Sequence, residues 1–330
     1  MLNKARSEER TPIATSTKTM STPFFVVGSD RSGTTMLMMM LDAHPHLGVA
    51  RESWFLIELM RALPLKGELS RENIQSAYEI ISRHRRWRNW EIPDAVLQNC
   101  LDSLQKPDLA TLIEAVFRLD ERLAGKPRWG DKTPAYVLEI ERLREVFPDA
   151  RFIHIIRDAR DVCVSLRKVK WHGPTVVHMA KYWRRHVEAG IRAGQRLGDD
   201  VYLQISYESI VADVEGSLEA ICRFLEIPFD RGLLSWHERA AEMTADKPMQ
   251  FQSKIHRAPR PEDLERWKRE LPTIAVAAVE CMAGDIMQEV GQRRRFGRQV
   301  RLLYPLFMIY AIAMSGLKSV WRTARKTLRS

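Results

Sequence analysis

The chain has 330 residues, enough to bury a large core within one principal domain. Its four cysteines stand about 60 residues apart with no Cys-x-x-Cys pair, which indicates neither a disulfide framework nor a zinc site. The net charge of +10 is confined to residues 291–330, which hold ten basic and no acidic residues, so residues 1–290 are neutral and the high pI indicates no nucleic-acid-binding face.

Residues 1–22 read as a flexible N-terminal segment. The first twenty are polar and charged with no apolar run, so no signal peptide or N-terminal anchor is expected. Together with the cysteine usage this points to a cytoplasmic protein. Residues 23–290 form the main domain. Strands are expected at 24–28, 151–156 and 201–205. Helices are expected at 34–43, 52–63, 108–124, 134–147, 158–169, 175–197, 213–226 and 272–289. Such alternation predicts the α/β class, a parallel sheet covered by helices on both faces. Residues 64–107 read as a helical insertion broken at Pro64, Gly67, Pro93 and Pro107. The methionine run Met36, Met38, Met39 and Met40 reads as core filling. His44 and His46 read as residues that shape a helix end, because no third metal ligand is near. His154 reads as a buried, hydrogen-bonded residue. The run from Arg83 to Trp90 suits either contact with an anionic or carbohydrate ligand or a solvated helix end.

Two segments carry phosphate chemistry. In the first, Phe24–Gly28 feeds Ser29-Asp30-Arg31-Ser32-Gly33-Thr34-Thr35. This is an apolar strand, a glycine-bracketed turn and the start of a helix. Free N–H groups and the positive dipole end of the helix attract an anion, and Gly28 and Gly33 let the backbone curl close to it. The spacing is that of a P-loop, G-x-x-x-x-G. The next residue is Thr34 rather than the lysine that reaches the β- and γ-phosphates of a nucleoside triphosphate. The second segment is the strand Phe152–Ile156 ending on Arg157, with Ser165 eight residues later. The pair suggests a nucleotide phosphorylated at two separate places.

At these residues the chain resembles the sulfotransferases that use 3′-phosphoadenosine-5′-phosphosulfate (PAPS). Arg31, Ser32, Gly33, Thr34 and Thr35 look like their 5′-phosphosulfate loop, and Arg157 with Ser165 looks like their 3′-phosphate site. Ser206-Tyr207-Glu208-Ser209-Ile210 is similar to the segment whose tyrosine lies near the adenine. Phe224-Leu225-Glu226-Ile227-Pro228 is similar to the helix end that follows. The resemblance covers roughly residues 23–285 and implies a P-loop-type parallel sheet with PAPS as co-substrate and PAP as product.

Two catalytic styles exist in that superfamily. The histidine-base branch has its base two residues after a lysine. Here the lysine is Lys132 and the residue is Pro134, which takes no proton. The chain instead resembles the tyrosylprotein and related Golgi-type sulfotransferases, in which a glutamate follows the first helix. Glu52 and Lys132 fall at the matching positions. Ser253-Lys254-Ile255 also looks like a segment of theirs, placing Ser253 with the catalytic groups and Lys254 with the nucleotide-binding set. Sulfuryl transfer builds charge on the leaving phosphate, which Lys132, Arg31 and Ser253 are suited to hold. The acceptor hydroxyl must lose a proton, a role for Glu52. No metal is required if side chains supply the cations. The plain alternative for Glu52 is an ion pair with Arg51 or Arg31, and for Lys132 a surface lysine before a proline turn.

Residues 291–330 read as a basic, apolar tail. The stretch Leu302–Leu317 has sixteen residues and no charge, at roughly 24 Å too short to span a hydrocarbon core of about 30 Å without help. It suits peripheral contact with an anionic membrane surface, or packing on the domain or on a second copy in a homodimer. Three functions fit to different degrees. A P-loop small-molecule kinase needs the lysine that Thr34 replaces. A membrane-tethered nucleotide-binding protein does not need Glu52 and Lys132 together. A sulfotransferase acting on a hydroxyl or amine of a glycan, lipid or peptide uses every motif.

Overall fold

The computed structural model describes residues 22–169, 172–237 and 259–327, with side chains described as far as residue 315. Ser253 and Lys254 lie outside the described residues.

The chain begins with β1 (Phe24–Gly28), all five residues buried. Such a run forms an interior strand because both faces are covered. The pleat divides its side chains between two cores. Phe25 and Val27 join a cluster with Trp129 and Phe152, whereas Phe24 and Val26 join the methionines of α1 (Thr34–Asp42). Phe25 lies at the centre of an aromatic group, with ring centroids 5.4 Å from Phe152 and 6.0 Å from Trp129.

Next come β2 (Leu47–Ala50), α2 (Phe55–Ala62), α3 (Arg71–Arg83), α4 (Asp94–Ser103) and α5 (Leu109–Phe117). Then follow β3 (Arg128–Asp131), α6 (Ile140–Val146), β4 (Arg151–Ile156), α7 (Ala159–Leu166), α8 (Val176–Leu197) and β5 (Tyr202–Ser206). The chain continues through α9 (Tyr207–Ala212), α10 (Val214–Phe224), α11 (Trp267–Glu270), α12 (Thr273–Glu289) and α13 (Tyr304–Thr327).

The sheet has five strands in the order β2-β3-β1-β4-β5, all parallel. β1 is central, and the chain leaves it in one direction for β2 and returns past it from β3 to β4. All strands end on one edge, and the loops beyond Gly28, Ala50, Asp131, Ile156 and Ser206 face a common crevice. Ligands of open α/β sheets bind in such a crevice.

The structure departs from the expected elements in specific ways. β2 and β3 were not expected, because four residues are too few to show a period. The helix expected from 52 starts at Phe55, because Trp54 has φ 54° and cannot continue a right-handed turn. The helix expected over 108–124 stops at Phe117, and that over 134–147 opens with a tight 3₁₀ turn, Pro134–Leu138. The 64–107 stretch contains α3, α4 and a 3₁₀ turn at Trp87–Trp90. α3 starts at Ser70, whose hydroxyl accepts from the Asn73 N–H in a capping box. Trp87 and Trp90 are buried in the core against Phe55, so the aromatic part of the 83–90 run is packing.

Candidate active site

The loop after β1 needs both glycines. A Cβ on Gly28 would sit 2.6 Å from the Ile155 carbonyl oxygen, and one on Gly33 would sit 2.5 Å from the Tyr207 ring. Gly33 has φ 106° and Arg31 has φ 69°, so the loop makes a turn that few residues tolerate. The Ser32 hydroxyl donates to the Ser29 carbonyl at 2.8 Å and braces it. The N-cap of α1 is Gly33, which has no side chain to cap the helix, and this suits its N-terminus to an anion carrying several oxygens. Thr34 and Thr35 open this helix.

The two phosphate signatures, far apart in sequence, meet in space. Arg31 Nε donates to Ser165 Oγ at 2.9 Å. Arg157 lies at the end of β4, its backbone carbonyl accepting from the Trp183 indole at 2.9 Å. Its guanidinium stacks 4.1 Å over the Tyr207 ring and donates to the Asp263 carbonyl at 2.8 Å. Arg157 Nε is buried without a hydrogen-bond partner among the described residues. An unsatisfied buried donor is costly unless a ligand completes it. Arg31, Ser32, Gly33, Thr34, Thr35, Arg157, Ser165 and Tyr207 therefore border one region at the carboxyl edge of β1 and β4.

Glu52 and Lys132 also meet, and the sheet explains why. Ala50 pairs with Asp131 in register, so the loops leaving β2 and β3 start side by side. Lys132 Nζ forms a short ion pair with Glu52 Oε1. The lysine side chain is 4 % exposed and the glutamate 24 %, so the pair sits at the crevice wall with the carboxylate nearer solvent. Glu52 Oε2 accepts from the Trp54 indole at 3.1 Å and lies 3.4 Å from the Arg86 guanidinium. Burial pushes the Glu52 carboxyl up. Lys132, and then Arg86 and Trp54, outweigh that push and hold it below its ordinary value. Arg51 turns away to Asp120 at 2.6 Å and Glu121 at 2.8 Å, so the expected alternative pairing of Glu52 with Arg51 does not form.

Arg86 and Trp54 were not among the expected site residues. Arg86 lay within the basic and aromatic 83–90 run, the only signal that could have found it. Trp54 shows itself only through its left-handed backbone. Asp30, inside the phosphate loop, is a third such residue. Its carboxylate lies 3.2 Å from His172 Nε2; burial raises its pKa, and His172 outweighs that and lowers it. His44 accepts from the His46 N–H at 3.0 Å and bonds the Pro228 carbonyl at 2.9 Å, so it shapes the helix end. His154 is fully buried and bonded to the Tyr202 hydroxyl at 2.5 Å. Among the described residues, no group of three His, Cys, Asp or Glu is placed to hold a metal ion.

Behind Lys132, Asp131 is fully buried and accepts from the Ser53 hydroxyl at 2.8 Å, which in turn contacts the Tyr136 hydroxyl at 2.6 Å. Burial pushes the Asp131 carboxyl from 3.8 up to about 7. The folded state thus holds a proton that the unfolded chain releases near pH 3.8. Its contribution to stability is full below that pH and declines as pH rises to about 7. Asp131→Asn is expected to keep the fold and remove this decline. Calorimetric melting of both proteins across that range checks it: parallel curves for the two would mean that Asp131 ionises normally.

Comparison with known proteins bears on the same residues. A profile described as the sulfotransferase family matches residues 23–231. Protein-tyrosine sulfotransferase A of Caenorhabditis elegans is 23 % identical over 274 residues, covering 80 % of this chain and 66 % of that protein. The protein-tyrosine sulfotransferase of Drosophila melanogaster is 26 % identical over 261 residues, covering 75 % of this chain and 47 % of the relative. The chain thus spans between about half and two thirds of the length of these two relatives. Among solved structures, the sulfotransferase domain of the Synechococcus PCC 7002 olefin synthase superposes with a TM-score of 0.59 at 22 % identity, over 81 % of this chain and 94 % of that one. The sulfotransferase domain of the curacin biosynthetic pathway gives 0.52 at 20 % identity, over 83 % and 99 %. With the matched profile spanning the phosphate loop, Glu52, Lys132, Arg157, Ser165 and Tyr207, the chain belongs to the sulfotransferase family.

Proposed function

We propose that the chain transfers a sulfuryl group from PAPS to a hydroxyl acceptor. The observation that carries this reading is the contact between Glu52 and Lys132 at the same sheet edge as a P-loop without its lysine. A kinase reading has no cation at Thr34 to match. Arg157 Nε, without a partner among the described residues, and the Arg31–Ser165 contact suit a nucleotide with two separated phosphates.

PAPS, when bound, supplies an SO₃ group whose bond to the 5′-phosphate oxygen breaks as the acceptor oxygen bonds to sulfur. Glu52 accepts the proton that the acceptor hydroxyl loses, and its lowered pKa keeps it ionised at neutral pH. Lys132 holds the charge that develops on the phosphate, and Arg31 of the phosphate loop shares that role. Trp54 and Arg86 orient the carboxylate through its other oxygen. Because Lys132 touches Glu52, the groups this reading assigns as charge stabiliser and base stand side by side.

The test uses PAPS labelled with radioactive sulfur, offered with peptide, glycan and lipid fractions. Peptides bearing tyrosine go first, since the two relatives are named protein-tyrosine sulfotransferases. Label should appear in one fraction, and PAP should raise the melting temperature where ATP and GTP do not. Stabilisation by ATP alone, with no label transferred, would remove the reading.

A further inference from the structure

We propose that α13 seats this protein on an anionic membrane surface, lying in its plane with the outer face of the helix against the lipid. One side of the helix is docked on the domain. Phe307 and Ala311, with Val300 just before the helix, are buried in a cluster with α8 and α12. The Ser315 hydroxyl contacts His178 Nε2 of α8 at 3.0 Å. A helix held by one side to a folded domain does not cross a bilayer. Among the described residues, no helix is long and apolar enough to do so.

The opposite side is bare. Leu302 is 82 % exposed, Leu306 64 %, Ile309 64 % and Ile312 66 %, and Tyr310 is 51 % exposed. Leu306, Ile309, Tyr310 and Ala313 follow the three- and four-residue spacing of one face of α13, Ile312 stands beside them, and Leu302 precedes the helix in the 3₁₀ turn Arg298–Leu303. No charge falls between Leu302 and Leu317, so this face is an unbroken apolar stripe. Isolated exposed leucines need no explanation, but a continuous apolar stripe on a soluble domain marks a contact surface. Tyrosine is favoured at the boundary between headgroups and acyl chains.

Charge selects the occupant. Residues 291–330 carry ten basic and no acidic side chains, and Arg293, Arg295 and Arg298 are exposed just before the stripe. A second copy meeting this face symmetrically would bring the same positive segment alongside, which opposes self-association. Anionic headgroups supply the opposite charge, and acyl chains cover the leucines. Apolar insertion combined with a basic patch is the two-signal arrangement that gives stable peripheral binding.

The experiment floats the full chain with vesicles of phosphatidylcholine alone and of phosphatidylcholine with phosphatidylserine, at low and high salt. Removing the tail is a poor test, since Val300 and Phe307 belong to the core. The double variant Leu306→Glu, Ile309→Glu alters only exposed positions. The wild type should float with phosphatidylserine vesicles and dissociate at high salt. The variant should bind at least about tenfold more weakly, with an unchanged thermal unfolding midpoint. Equal binding by variant and wild type, or no preference for phosphatidylserine, would overturn the proposal. So would a dimer seen by light scattering, abolished by the variant and accompanied by no vesicle binding; a second copy would then cover the stripe.

Discussion

Replacing Glu52 with glutamine is expected to lower turnover about 10²–10⁴-fold, the usual worth of a positioned general base, with PAP affinity nearly unchanged. Glutamine keeps the size of the side chain and the loop that holds it. It cannot accept the acceptor's proton. Lys132→Ala should also lower turnover, by roughly 10²–10³-fold through lost charge stabilisation. It differs in a second way: it removes the main ion-pair partner of Glu52 and leaves Arg86 and Trp54 to hold the carboxylate. Single-turnover kinetics with PAPS, alongside calorimetric titration with PAP, separates chemistry from binding. Near-full activity of Glu52→Gln on the true acceptor would place the base elsewhere.

Arg157→Ala should produce the largest change in binding. Losing a charge-assisted contact costs about 1.5–3 kcal/mol, or roughly 10–150-fold in affinity. The loss should fall on PAP, which carries the 3′-phosphate, and spare adenosine 5′-phosphate, which lacks it. Arg157 also stacks on Tyr207 and holds the Asp263 carbonyl, so its removal has a structural component. That component affects both nucleotides alike. The ratio of the two affinities is therefore the readout, and equal weakening of both would sink the 3′-phosphate assignment. Ser165→Ala should shift the ratio in the same direction by less.

The parts of this fold that were legible in the sequence are those whose cause is local. β1 is a continuous apolar run, and β4 is one interrupted by His154 after its opening Arg151, because both their faces are buried; the expected bounds 24–28 and 151–156 match. β2 and β3 are strands because their neighbours pair with them. Leu-Gly-Val-Ala and Arg-Trp-Gly-Asp carry no pattern of their own. The same holds at the site. The phosphate loop announces itself through glycine spacing, and Arg157 through its place at a strand end. Glu52 and Lys132 were paired by family resemblance alone, and the register of Ala50 with Asp131 supplies the physical reason. Arg86 reaches Glu52 from beyond α3, a distance no local pattern encodes. Charge and apolarity of the C-terminal stretch were readable, but which side packs was not, since that depends on the surfaces of α8 and α12.

The central position of β1 has a consequence for biosynthesis. Its two hydrogen-bonded neighbours are β3 and β4, which follow it by roughly one hundred residues or more. A growing chain therefore exposes the apolar strand Phe24–Gly28 with both edges open until β3 has emerged, and with one edge open until Ile156 has emerged. Open apolar edges attract one another, so the nascent protein is most prone to aggregate in this interval. Closing so large a separation also slows folding, because chain entropy is lost before the pairing rewards it. The loop after Gly28 rests on Ile155 and Tyr207, so it takes its final shape only once β4 and α9 are in place. Although this loop is translated before β4 and α9, it becomes competent only after them, and affinity for PAP should rise late during refolding, after most helical signal has returned.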